Sequence, residues 1–66
     1  MTIDQIDSHI ANMETLIGQT RIALIAAPSP DVEADELMNL MHFEDLLLLL
    51  LRQRAATRMQ EQTVLH

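Results

Sequence analysis

Apolar and polar residues alternate with a helical period along the first third of the chain. The residues that recur at spacings of three and four are Ile3, Ile6, Ile10, Met13, Ile17, Thr20 and Leu24, all apolar except the threonine. This spacing is the heptad seam of a coiled coil. Thr2 followed by Gln5 has the pattern of a capping box at a helix start. The pattern therefore predicts an amphipathic helix over residues 3–26 whose seam packs against another helix.

A break at residues 27–29 separates this segment from a longer one. Pro28 disfavours helical geometry at Ala27, and Ser29 followed by proline fits an N-cap with proline at the first helical position. No proline or glycine follows residue 30. We predict a second helix over residues 30–60 and a flexible tail over 61–66. A turn this short makes the helices antiparallel, so the predicted fold is all-α, a two-helix hairpin forming a single domain over residues 1–66.

Six consecutive leucines, residues 46–51, lie in the middle of the second segment. Neighbouring residues are about 100° apart on a helix, so this run is apolar on every side and one partner helix cannot cover it. The predicted hairpin core is Ile3, Ile6, Ile10, Met13, Ile17, Leu24, Leu37, Leu40, Met41, Leu47, Leu48 and Leu51. Phe43, Leu46, Leu49 and Leu50 are left over and form the predicted protein interface. Dimerisation into a four-helix bundle, or a helical partner protein, would cover them.

Glu44 interrupts the predicted apolar stripe of the second helix at its centre. An unpaired buried carboxylate is costly. One interpretation makes Glu44 a specificity residue that fixes the register of a helical interface, as isolated polar groups in such seams do. The other interpretation is that the helices splay there and the carboxylate reaches water.

Composition and length favour an associating, cytoplasmic protein. A domain near 60 residues buries only about 60% of the surface its unfolded chain exposes, so small domains depend on disulfides, metals or association. This chain has 48% hydrophobic residues and no cysteine. The apolar run of six is far shorter than the roughly 20 residues of a membrane-spanning helix. Asp4 and Asp7 stand where a signal peptide would carry bases.

The charge balance narrows the functional classes. Ten acidic residues against four arginines give a net charge of -6, which opposes nucleic-acid binding despite Arg52, Arg54 and Arg58. No two histidines have metal-ligand spacing, and a single glycine cannot build a phosphate-binding loop. We therefore predict no metal, no cofactor, no catalytic residue and no enzymatic activity. The acidic stretch Asp31–Glu36 provides an alternative function, a regulator that blocks an enzyme or a nucleic-acid-binding protein.

In architecture and length the chain resembles the small helical-hairpin co-chaperones of type III secretion needle subunits. The shared features are an amphipathic first helix, a short proline turn, the absence of cysteine and an apolar second helix with uncovered residues. The resemblance implies a cytoplasmic protein that binds a larger helical-repeat chaperone and keeps an aggregation-prone subunit soluble. It includes no residue motif, so it assigns no functional residue.

The predicted function is a small protein–protein interaction module that acts by helix packing.

Overall fold

The computed structural model shows the predicted all-helical hairpin. It describes residues 1–64, with the backbone alone at 63 and 64. Helix α1 spans Ile3–Ile25 and helix α2 spans Pro30–Val64. The second helix continues past its predicted end at residue 60, so residues 61–64 are helical where a flexible tail was predicted. The rest of that predicted tail, residues 65 and 66, lies outside the described residues.

Side-chain caps define the start of both helices. At α1 the hydroxyl of Thr2 accepts a hydrogen bond from the Gln5 amide at 3.2 Å, and the Gln5 side chain accepts one from the Thr2 amide at 2.9 Å. At α2 the hydroxyl of Ser29 accepts from the Val32 amide at 3.3 Å. The capping box and the serine N-cap are therefore both present as predicted, and each satisfies amide groups that a helix start leaves unpaired.

The α1 seam faces α2 along its whole length. Ile6, Ile10, Ile17 and Thr20 are buried, while the remaining seam positions 3, 13 and 24 are half-buried. The Thr20 hydroxyl donates to the Leu16 carbonyl at 2.7 Å. This bond satisfies the one polar side chain buried in the seam, so its burial carries no unpaired-group penalty.

The α2 seam follows the same coiled-coil rule with a different set of residues. It is a series of half-buried residues at alternating spacings of four and three: Glu36, Leu40, Phe43, Leu47, Leu50, Arg54 and Thr57. Leu46 and Leu51, which lie beside this series, are also half-buried. Arg54 donates to a carboxylate oxygen of Asp7 at 3.2 Å, which pairs the start of α1 with this part of α2. Thr57 is the last half-buried position of this seam among the residues whose side chains the structure describes.

Part of the predicted hairpin core is wrong. Leu37, Met41 and Leu48 are exposed at 47%, 59% and 47% of their surface, whereas Leu40, Leu47 and Leu51 are half-buried. The seam is rotated toward Phe43 and Leu50, which were predicted to point away from α1. A run of leucines offers an apolar residue at every angle and so does not select a face. Centring the seam on Glu44 would bury a carboxylate, and the rotation leaves Glu44 exposed.

The hairpin is long and thin. With 23 and 35 residues, the two helices are about 34 Å and 52 Å long at 1.5 Å per residue, and the molecule measures 56 × 14 × 14 Å. Neither α1 nor the described part of α2 is long and apolar enough to cross a membrane. A two-helix layer has no interior beyond its one seam, so both of its sides remain open to solvent.

Candidate protein interface

Each helix has two flanks beside the seam, and the hairpin joins them into two lateral surfaces. One surface, here called the charge-free flank, combines the positions that lie one residue before each seam position, continued at the same spacing to Ala26 and Gln60. In α1 and its caps these are Thr2, Gln5, His9, Asn12, Leu16, Gln19, Ala23 and Ala26, and in α2 they are Asn39, His42, Leu46, Leu49, Gln53, Ala56 and Gln60. None of these residues has a charged side chain. One acid, Asp35, precedes the seam residue Glu36 and so lies on this flank in the first turns of α2.

The opposite surface, here called the charged flank, has the same extent and a different composition. Its residues are Asp4, Asp7, Ala11, Glu14, Gly18, Arg21 and Ile25 of α1, and Leu37, Met41, Glu44, Leu48, Leu51, Ala55 and Arg58 of α2. The Asp7–Arg54 ion pair also lies on this side. Among the described residues, the seam therefore separates a surface with six charged side chains from one whose single charged side chain is Asp35.

A groove of about 280 Å³ opens on the charge-free flank. Its apolar wall consists of Met13 from α1 and Leu46, Leu49 and Leu50 from α2, with Met1, His9 and Gln53 at its rim. Leu49 is exposed at 57% of its surface. A leucine at the centre of a 35-residue helix gains nothing from facing water. This groove, which has no charged side chain at its rim, therefore resembles an uncovered helix-packing surface.

A second groove, of about 580 Å³, opens on the charged flank. Ile17, Leu47, Leu48 and Leu51 line its floor, and its rim carries Glu14, Glu44, Asp45 and Arg21. Glu44 is exposed on this rim, which agrees with the interpretation that its carboxylate reaches water. Three acids and one base leave the rim with an excess of negative charge, so an apolar partner helix would have to remove those carboxylates from water in order to pack here.

The four predicted interface residues have different positions in the hairpin. Leu46 and Leu49 lie on the charge-free flank, and Leu50 is a seam residue whose edge reaches the same groove. Phe43 is half-buried in the seam, and its ring lies 6.0 Å from that of His42. The sequence prediction missed the α1 wall of the groove, formed by His9 and Met13. The α1 seam implied an uncharged side of the helix, but not the register that brings His9 and Met13 beside Leu46 and Leu49.

The described residues contain no cluster of three His, Asp or Glu side chains that could hold a metal ion. Their side chains also leave no buried polar atom without a hydrogen-bond partner. The chain matches no protein-family model, and no curated protein or solved structure is significantly similar to it.

Proposed function

We propose that this protein is a helix-packing interaction module that binds another helical surface through its charge-free flank. The observation that carries the proposal is the apolar groove formed by Met13, Leu46, Leu49 and Leu50, which has no charged side chain at its rim. Large exposed apolar patches with polar rims mark interaction sites, and this groove has the same arrangement on a smaller scale. Covering the groove would also add a second apolar layer to a hairpin that has only one.

Two kinds of complex use this surface. In one, copies of the chain associate into a helical bundle. In the other, the chain is a cytoplasmic small subunit or co-chaperone of a larger helical protein, as its resemblance to secretion co-chaperones implies. Both kinds place a partner helix along the groove, and both lose their contact when a charge enters it.

Two neighbouring leucines provide a matched test. Leu49 lies on the charge-free flank and Leu48 on the charged flank, and both are about half exposed. Tagged wild type, Leu49→Glu and Leu48→Glu would be used to capture proteins from the source cells. Untagged copies of the chain itself count as a captured partner. We expect Leu49→Glu to reduce recovery of the principal partner at least about tenfold, because it buries an unpaired carboxylate. Leu48→Glu should retain that partner, and equal recovery by all three baits would contradict the proposal.

A second candidate function, the acidic regulator, depends on a different region. Asp31, Glu33 and Asp35 are exposed in the first turns of α2, where they could contact a basic surface of an enzyme or a nucleic-acid-binding protein. Binding led by these charges weakens as ionic strength rises, whereas binding led by leucines persists. Loss of the partner in high salt, and from the variant Asp31→Asn/Glu33→Gln/Asp35→Asn, would favour the regulator over helix packing.

A further inference from the structure

Resting on the proposed function, we infer that the occupant of the charge-free flank is a second copy of this chain. The two hairpins pack face to face about a two-fold axis near Leu46 and Leu49, and each α2 lies antiparallel to its copy. Four properties of the hairpin favour this occupant: its exposed area, the distribution of its charges, the hydrogen-bonding groups of the flank and the position of the groove along the hairpin.

The exposed area is larger than a monomer of this size requires. A folded monomer of 7.5 kDa exposes about 4,250 Å², whereas this hairpin exposes 5152 Å². The excess of roughly 900 Å² is close to the ~800 Å² that each partner buries in a standard protein–protein interface. Burying that area against one further hairpin would bring the exposed area of each chain close to that of a folded monomer of its size.

The charges identify which side a second copy can occupy. Each copy has a net charge of -6, so two copies repel unless their contact keeps the acids apart. Packing through the charged flank would bring Glu14 and Glu44 of one copy toward the same residues of the other, and like charges placed together cost several kcal/mol. The charge-free flank has no such pair, because it carries no charged side chain from Thr2 to Ala26 or from Asn39 to Gln60.

The polar residues of the charge-free flank suit a contact between identical surfaces. They are mostly amides: Gln5, Asn12, Gln19, Asn39, Gln53 and Gln60. An amide group both donates and accepts hydrogen bonds, so it can pair with another amide. In a two-fold dimer the same patch faces itself, and such a patch must be complementary to itself. A rim of amides meets this condition, whereas a rim of carboxylates would not.

The groove lies near the middle of the hairpin, so two hairpins that pack through it overlap along most of their length. Met13 is close to the middle of α1, and it shares the groove with Leu46, Leu49 and Leu50. A two-fold axis through this level superposes the seam of one hairpin on that of the other along nearly the whole of α1. The dimer is then a four-helix bundle whose added core layer is built from Met13, Leu46 and Leu49 of both copies.

The test uses the purified full-length chain without any other protein. Light scattering coupled to size exclusion should give twice the 7.5 kDa chain mass for wild type and for Leu48→Glu, and the single-chain mass for Leu49→Glu. Circular dichroism reports whether each variant keeps its helices. If Leu49→Glu unfolds, Gln53→Glu decides the matter. Gln53 is already exposed at the groove rim, and we expect its replacement to raise the dimer Kd about tenfold or more.

Three results would overturn the inference, namely a wild-type chain of single mass at every concentration, equal dissociation by Leu48→Glu and Leu49→Glu, or a Gln53→Glu dimer as tight as wild type. The outcome is separable from that of the proposed function. A monomeric wild-type chain whose captured partner depends on Leu49 would refute the second copy and retain the interaction module. Partner capture that is independent of Leu49 would refute the interaction module itself.

Discussion

The two flanks of this hairpin share one seam, one leucine run and the same pair of helices, yet their surfaces differ in kind. Leu48 and Leu49 are neighbours in sequence and are similarly exposed, and each opens onto a different groove. The groove beside Leu48 has Glu14, Glu44, Asp45 and Arg21 at its rim. The groove beside Leu49 has a histidine and a glutamine there, with no charged side chain.

The difference indicates that charged residues, rather than leucines, determine which side of a very apolar helix a partner can cover at low cost. Six leucines in a row make every side of α2 attractive to a partner. Burying an apolar side chain contributes about 25 cal/mol per Å², whereas burying an unpaired charge costs several kcal/mol. A few charged residues on one flank therefore outweigh the apolar area beside them. In this hairpin they leave the other flank as the surface that a partner helix can cover at lower cost.

The largest expected effect comes from breaking the seam on which both flanks depend. Ile6 is fully buried between the helices, so Ile6→Ala removes apolar contacts and leaves a cavity. We expect it to lower the free energy of unfolding by about 2–5 kcal/mol, measured by urea denaturation followed by circular dichroism. Because both flanks are built from the same two helices, both should be lost when the hairpin unfolds. The molecular mass measured by light scattering should then fall together with the helical signal in circular dichroism.

Ile22→Ala is the control for the seam. Ile22 has the same chemistry and lies in the same helix, but 69% of its surface is exposed. Its replacement should change the free energy of unfolding by less than about 0.5 kcal/mol. Equal destabilisation by both variants would mean that the seam does not hold the hairpin together.

The sequence predicts α1 in more detail than α2, and the reason is physical. In α1, polar residues such as Ser8 and Thr15 leave only one apolar side, so the heptad pattern identifies the residues that the structure buries or half-buries. The caps at Thr2 and Ser29 are local hydrogen-bond patterns and can be read in the same way. In α2 the leucine run removes the contrast between sides, and hydrophobicity alone placed Leu37, Met41 and Leu48 in the core.

The groove on the charge-free flank could be predicted in part. Leu46 and Leu49 followed from counting which leucines a single neighbour cannot cover. His9 and Gln53 did not, because they join the groove only through the register between helices, which the contact of Arg54 with Asp7 marks. The exposed position of Glu44 could also have been predicted, because a buried unpaired carboxylate is costly and the seam of α2 avoids that cost when another side faces α1.

A smaller change in stability is expected from Gly18→Ala on the charged flank. A Cβ atom added there meets nothing within 4 Å, and alanine is favoured over glycine inside a helix by up to about 1 kcal/mol. Gly18→Ala should therefore raise the melting temperature by a few degrees, at about 4–8 °C per kcal/mol, and leave the mass from light scattering unchanged. A stabilised chain that no longer associates would show that a partner approaches Gly18 closely, and would move the interface to the charged flank.

The smallest expected effect is that of the ion pair between Asp7 and Arg54. The two groups are 3.2 Å apart, and about a third of the Arg54 side chain and somewhat more of the Asp7 side chain face water. Exposed pairs of this kind contribute less than about 1 kcal/mol. A double-mutant cycle with Asp7→Asn and Arg54→Gln, measured by urea denaturation, should give a coupling energy in that range that shrinks in high salt. Because the pair belongs to the charged side, Asp7→Asn should keep the wild-type mass, and dissociation by this variant would mean that the charges on this side take part in association.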